Sequence, residues 1–377
     1  MVLKAVFWGS FAALAWTHGG YPLAAALLAK ARPRPVAKAD VLPSVALVVA
    51  AHDEERQIGR LLESLLALDY PPERLEILVV SDGSTDRTEA IVEEIAGSDA
   101  RVRLLRRPRG GKVAAQDAAV RRSGASILAF SDANAVWAPD ALRELVRNFA
   151  DPEVAYVCGR LQLEEPEGTN REGLYWRYEL WTRRSESALG SVTAGNGAIY
   201  GVRREDYVEG HSRFGLGHDL GFPYLMVQRG RRAVYEPGSV AYEPAARETE
   251  DEFGRKTRIL ARAWVHVLTG RMLRGLPRLY LFQVVSHRLL RYASGLLHVV
   301  LLTTSALLAG AGAVYAVALG AQLGWLVLAV AGRLRLPVPG ARLAWYYLVV
   351  AAATVVGLAR LVRQGPPLVW ERSEGAR

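Results

Sequence analysis

Asp53, Asp82 and Asp132 each follow an apolar run, Val45 to Ala51, Leu75 to Val80 and Ile127 to Phe130 in turn. Carboxylates are hard oxygen donors, so three of them gathered in one crevice would hold a polar ligand and a divalent cation. Ser81-Asp82-Gly83-Ser84-Thr85-Asp86 reads first as a turn, with Ser84, Thr85 or Asp86 capping a helix from Thr88 to Ala96. That reading leaves Asp82 spare to accept hydrogen bonds from a base or ribose hydroxyls. In Asp132-Ala133-Asn134 two oxygen side chains alternate, so both can reach one metal or diphosphate; a helix start ahead of Pro139 and Asp140 is the plainer alternative. Gly110-Gly111-Lys112 pairs a pliable backbone with a cation and can meet phosphate. It lacks the spacing and the following Ser or Thr of a Walker loop, which disfavours a P-loop NTPase.

The elements that must carry these residues follow from the same runs. Each has the length and β-branched content of a strand buried on both faces, and helix-like stretches separate them, which predicts a parallel α/β sheet. Open sheets of this kind bind ligands outside the carboxyl ends of their strands, and all three acids fall there. The 377 residues carry a formal net charge of +9, are 51% apolar and contain one cysteine, Cys158. One cysteine excludes an internal disulfide and a cysteine-based metal cluster, and predicts a packing role for the thiol. The positive charge gathers near apolar stretches and at Arg231, Arg232, Arg255, Lys256, Arg258 and Arg262, which suits a membrane surface or a phosphorylated ligand; no nucleic-acid module stands out.

Ala5 to Ala29 has no Asp, Glu, Lys or Arg and precedes Lys30, Arg32, Arg34 and Lys38. It predicts a signal anchor, kinked near Gly19, Gly20 and Pro22, with the following domain cytosolic; a cleaved secretory signal is the competing reading. Tyr292 to Gly332 is also free of charge and predicts a helical hairpin turning near Gly310 and Gly312, returning at Arg333 and Arg335. Leu343 to Ala359 is near the minimum for a span, and crossing there would place Arg360, Arg363 and Arg372 outside, against the positive-inside preference. A re-entrant or surface-lying segment relieves the conflict. The organisation expected is an anchor over residues 1–30, a catalytic domain over 41–265, interfacial helices over 266–288, membrane segments over 289–363 and a tail over 364–377. Arg271 to Gln283 mixes arginines with Leu, Tyr and Phe, as a helix at headgroup level would.

Taken together, Ala51-His52-Asp53-Glu54-Glu55, Ser81-Asp82-Gly83-Ser84, Gly111-Lys112, Ser131-Asp132-Ala133-Asn134, Gly195-Asn196-Gly197-Ala198 and Gly217-His218-Asp219 resemble membrane-bound family 2 glycosyltransferases. Phe253 to Arg258, Ser286 to Arg291 and Trp370-Glu371-Arg372 extend the likeness toward bacterial polysaccharide and cellulose-synthase-like members. The resemblance implies a GT-A-like, Rossmann-like domain with a mostly parallel sheet, carried on about four membrane segments. It implies that Asp53, Glu54 and Asp82 hold the nucleoside of a nucleotide sugar, that Lys112, Asp132 and Asn134 face its diphosphate, and that Asp132 and Asn134 bind Mg2+ or Mn2+. The family's motif usually ends in a second Asp, so Asn134 weakens the metal's hold. Asp219 takes the role of general base, with His218 structural. Gly195, Asn196, Gly197, Arg258, Arg262 and Trp264 are expected around acceptor or phosphate, with lipid headgroups the alternative for the two arginines and an interface-anchoring role the alternative for Trp264; Arg258 to Trp264 departs by one residue from the Gln/Arg-x-x-Arg-Trp element of processive synthases, so processivity is left open.

The activity expected is inverting, metal-dependent transfer from a nucleotide sugar, UDP-linked by resemblance, to a lipid-linked or growing glycan at the cytoplasmic membrane face. Export of a product would need an oligomer or a partner. Two rivals stand beside it. A nucleotide-sugar sensor would keep Asp82 and Asp132 without needing Asp219, and a nucleotidyltransferase would carry a glycine-rich triphosphate loop near its amino end.

Overall fold

In the computed structural model, residues 1–164, 172–210, 218–244, 249–270 and 273–365 are described. The chain opens with α1 (Val2–Ala15), a π-helical turn at Trp16–Gly20 and α2 (Tyr21–Ala31). The expected kink is therefore a π-turn in a continuous helix, which frees backbone geometry without ending the ladder. Thereafter come β1 (Val45–Ala51), α3 (Ile58–Leu66), β2 (Leu75–Asp82), α4 (Thr88–Ser98), β3 (Val102–Arg107), α5 (Lys112–Val120), β4 (Ile127–Ser131) and β5 (Val136–Trp137). The chain continues through α6 (Ala141–Arg147), β6 (Val154–Glu164), α7 (Glu172–Leu189), β7 (Tyr200–Arg203), α8 (His218–Gln228) and β8 (Arg232–Pro244). It ends with α9 (Thr249–Leu268), α10 (Arg278–Gln283), a π-turn at Val284–Leu289, α11 (Leu290–Tyr292), α12 (Ser294–Leu308), α13 (Ala313–Arg333) and α14 (Ala341–Gln364).

The eight strands form one sheet in the order β3-β2-β1-β4-β7-β6-β8-β5. β1 pairs in parallel with β2 and β4, and β2 with β3, as the apolar runs require. Past β4 the sheet becomes mixed. β7 runs antiparallel to β4 and β6, its Tyr200 end beside Phe130 at the end of β4, and β5 runs antiparallel to β8. One apolar layer packs α3 and α6 under the sheet, with Leu61, Leu62, Leu65, Leu142 and Leu145 buried against Leu47, Val49 and Ile77. The opposite face is covered by α5 and α8 through Ala115, Ala119, Phe222 and Met226 against Val48, Leu128 and Phe130. Cys158 lies in this second layer, fully buried, and burial pushes its thiol up to about 11.

Among the described residues three helices are long and apolar enough to cross a membrane: Ser294–Ala311, Ala313–Arg333 and Ala341–Gln364. The first two form the expected hairpin, turning at Gly312, whose φ of 155° is open to glycine. α1 packs along α12 through Phe7 and Leu14 against Leu301 and Leu308. α14 is arranged differently. The space a Cβ would need at Gly295, where α12 starts, is filled by Ala351, Thr354 and Val355; at Gly332, where α13 ends, it is filled by Ala341 and Arg342. Midway, the Tyr347 hydroxyl meets His298 Nε2 at 2.7 Å and its ring meets Trp325 at 6.0 Å. The two legs of the hairpin thus touch α14 at places ten residues apart, about 15 Å along a helix axis. Tyr347, between those places, meets both legs at once, so α14 crosses the pair.

Candidate active site at the carboxyl edge of the sheet

Two residues beyond β1, Asp53 adopts φ 54°, a conformation that costs a non-glycine residue roughly 1–3 kcal/mol and collects at functional sites. Its Oδ1 accepts the Thr85 N–H at 2.7 Å, while its own N–H donates to Ser84 Oγ at 3.2 Å. The neighbouring Glu54 N–H donates to Thr88 Oγ1 at 2.7 Å, and Glu55 N–H to Asp86 Oδ2 at 3.0 Å. The loops after β1 and β2 are thereby knitted into one rim, and Thr85, Asp86 and Thr88 serve that rim as much as they start α4.

Asp82 is not spare, as the turn alone suggests. It ends β2 almost fully buried, and its two carboxylate oxygens accept the N–H groups of Gly110 at 2.9 Å and Gly111 at 2.7 Å. The guanidinium groups of Arg107 and Arg109 stand 3.7 and 4.0 Å away and offset its charge. Its first structural task is to pin the Gly110-Gly111 loop, and that loop delivers Lys112 at the start of α5. Each oxygen keeps a second lone pair for a ligand donor.

Lys112 Nζ is paired with Asp132 Oδ1, and the backbone of Gly197 lies against both. A Cβ at Gly197 would come within 2.5 Å of Asp132 Oδ2 and 3.1 Å of Lys112 Nζ, so this approach requires glycine. Asp132 keeps about a third of its side chain exposed (32%), unlike Asp82 (5%), which leaves its carboxylate open to a ligand. Asn134 is half-buried on the turn that leads into β5. Trp137, a residue without a motif to announce it, fixes this arrangement: its buried indole N–H faces Ser131 Oγ at 3.0 Å and the Ala198 carbonyl at 3.1 Å, joining β4, β5 and the glycine turn.

The remaining predicted residues separate by task. Asn196 spends its amide on the fold, donating to the Gly159 carbonyl at 2.8 Å and accepting from the Ile199 N–H at 3.0 Å. It therefore shapes the turn that presents Gly197, and the Gly195 carbonyl accepts from Arg183 Nη2 at 3.4 Å. Trp264 is buried in α9 and donates to the Thr354 carbonyl of α14 at 3.0 Å, so it packs against the membrane-side helix and offers no stacking face to an acceptor. Arg258 and Arg262 share a face of the same α9, on the helix that seats α14. His218 is buried, stacked on Phe222 at 4.5 Å and edge-on to Tyr207 at 5.3 Å, which matches the structural part expected of it. Asp219 is the second residue of α8; its side chain lies outside the described residues, as do Gly217, Arg271 and Trp370 to Arg372.

With this geometry in view, residues 46–210 match the family model described as Glycosyl transferase family 2. That region is a glycosyltransferase family 2 domain. The glycosyltransferase domain is 31% identical over 232 residues to the beta-monoglucosyldiacylglycerol synthase of Synechocystis sp., a match covering 56% of this chain and 47% of that protein. It is 29% identical over 218 residues to an N-acetylglucosaminyltransferase of Mesorhizobium japonicum, covering 53% and 51%. The chain spans about half the length of the curated relatives it matches. In fold, a solved mannosyltransferase from Pyrobaculum calidifontis is similar over 96% of this chain and 99% of its own, with a TM-score of 0.72 at 23% identity. The α/β sheet with apolar helices at its carboxyl-terminal end is thus a GT-A-like architecture, as the resemblance implied.

No group of three or more His, Cys, Asp or Glu side chains positioned for a metal occurs among the described residues. The donor set still fits a hard divalent cation. Asp132 and Asn134 supply two oxygens on one turn, the lysine ammonium at Asp132 shows that this carboxylate accepts a cation, and a diphosphate supplies further oxygens.

Proposed function

We propose that the protein transfers a sugar, with inversion at the anomeric carbon, from a nucleotide sugar to a lipid-linked or growing glycan acceptor at the cytoplasmic face of the membrane. The observation that carries this reading is the chain of contacts from Asp82 through the Gly110-Gly111 loop to Lys112, Asp132 and Gly197, gathered at the carboxyl edge of a sheet joined to apolar helices. Asp53, Glu54 and Asp82 line the nucleoside end, and Lys112, Asp132 and Asn134 the diphosphate end. Asp132 and Asn134 would hold Mg2+ or Mn2+, which stabilises charge on the departing nucleoside diphosphate. Lys112 adds a fixed positive charge beside the same oxygens. Asp219, at the start of α8, is placed in sequence to accept the proton of the acceptor hydroxyl, strengthening it as a nucleophile on the sugar's opposite face.

The relatives' names support a glycolipid or glycan acceptor, since one is a beta-monoglucosyldiacylglycerol synthase and another an N-acetylglucosaminyltransferase. The structural neighbour was solved with GDP-Man and Mn2+, which supports divalent metal use and leaves the choice between UDP and GDP donors to experiment. The deciding measurement offers the purified protein in lipid a panel of UDP- and GDP-sugars with Mn2+ or Mg2+ and scores nucleoside diphosphate release with glycolipid acceptors. Release that requires metal and acceptor is expected, and Asp219→Asn should bind donor normally yet lose transfer by roughly a hundredfold or more. Donor binding without transfer to any acceptor would favour the sensor reading.

A further inference from the structure

The turn carrying Gly195 to Gly197 is held from behind by one buried carboxylate. Glu186, in α7, is fully buried, and each of its oxygens serves a different neighbour. Oε2 accepts the Thr193 N–H at 3.1 Å and the Thr193 hydroxyl at 2.9 Å. Oε1 accepts the Tyr21 hydroxyl of α2 at 2.7 Å and faces His287 Nδ1 of the Val284–Leu289 π-turn at 2.7 Å. Arg288 closes the ring by donating from Nε to the Thr193 hydroxyl at 2.8 Å. Just upstream, the Val192 carbonyl accepts from the Tyr280 hydroxyl at 2.9 Å, so α10 also grips this segment.

Four parts of the chain therefore meet at the Glu186–Thr193 pair: α7, the helix that arrives from the membrane, the membrane-proximal π-turn and the segment leading into the glycine turn. Four residues further on, Gly197 abuts Asp132 and Lys112 with no room for a methyl group. Removing a donor or acceptor from a fully buried junction leaves its partner unsatisfied, and the cheapest relief is movement of the loop. Asp132 is the side chain that a shift of Gly197 would meet first.

We propose that Glu186 and Thr193 are positioning residues, which set the Gly195–Gly197 turn against Asp132 and make its placement depend on the membrane-seated helices through Tyr21, His287 and Arg288. The proposal rests on Asp132 being the diphosphate end of the site. Thr193→Val removes the shared hydroxyl while keeping the shape, Thr193→Ser restores it, and Tyr21→Phe cuts the link to the membrane helix.

Two readouts are taken on each full-length variant in lipid: kcat and donor KM per folded molecule, and hydrogen exchange of the 193–199 amides without substrate. Thr193→Val should lower kcat roughly ten- to a hundredfold, as small misplacements at a reacting centre do, with donor KM changed little and loop exchange faster. Thr193→Ser should return both toward the parent, and Tyr21→Phe should fall between. A merely structural junction would lower the melting temperature of Thr193→Val and leave its kcat and loop exchange unchanged, which overturns the proposal. If the parent releases nucleoside diphosphate from no donor, the glycosyl-transfer reading fails, while the exchange comparison still judges whether Glu186 and Thr193 hold the turn.

Discussion

Trp264 shows how a residue's type can mislead about its task. An exposed indole after two arginines would suit acceptor stacking, but here the ring is buried and its N–H is committed to the Thr354 carbonyl. Trp264→Phe should therefore cost about 1 kcal/mol of stability from the lost hydrogen bond and leave turnover of the folded enzyme unchanged. Trp264→Ala should cost roughly 3–5 kcal/mol through the cavity it opens. Thermal melting paired with turnover per folded molecule separates the two, and a large loss of turnover in Trp264→Phe would restore the stacking role. At Asp132 the opposite balance is expected, because its carboxylate is part exposed. Asp132→Ala should melt near the parent temperature and lose metal-dependent release of nucleoside diphosphate by roughly a hundredfold or more, read by the donor assay across a Mn2+ titration.

At the scale of elements, the junction of α2, α7 and the Val284–Leu289 π-turn joins catalytic domain to membrane helices by buried polar groups set beside an apolar contact of Tyr21 and Ala25 with Leu189. Burial raises the Glu186 carboxyl, but the charges of His287 and Arg288 and the Tyr21 hydrogen bond outweigh it and hold it down at about 2. His287 is itself pushed down, by burial first and by Arg288 second. A carboxyl depressed in the folded state adds stability that is complete above its ordinary value of 4.5 and is lost as pH falls through the window toward 2. Melting temperatures followed across that window should fall more steeply in the parent than in Glu186→Gln, which has no proton to gain there. Equal slopes would show that the junction does not store its stability in this carboxylate.

For the molecule as a whole, α1, α12 and α13 present large apolar side chains outward along their lengths, among them Val6, Phe11, Val299, Leu307, Val317 and Val327. Among the described residues α14 exposes one, Val362, because its faces are taken up by α9, α12 and α13. Its second half lies against α9 of the catalytic domain, at the Trp264–Thr354 hydrogen bond and at Gly357, which fits a helix held at headgroup level. Both of its ends should then lie on the side of the catalytic domain. This keeps Arg360 and Arg363 with Arg333 and Arg335, in accord with the positive-inside preference. Reporter fusions or cysteine labelling after Arg335 and after Gln364 should report the same side; opposite sides would make α14 a true span.

The sequence alone determined the parallel core, since β-branched runs spaced by helix-length segments can be buried in few other ways, and it placed the acids at one edge because each run ends in one. It also determined the hairpin, whose length and lack of charge leave little choice in a bilayer. Local pattern could not show that Asp82 holds the Gly110-Gly111 loop, that Asn196 is spent on the Gly159 carbonyl, or that Trp264 faces α14, because each depends on partners distant in the chain. The Glu186 junction joins residues 21, 186, 193 and 287, and no spacing between them carries a signal. The lie of α14 is a matter of packing: its hydropathy suits a span or a surface-lying helix equally, and its contacts with α9 at Thr354 and Gly357 are what favour the second.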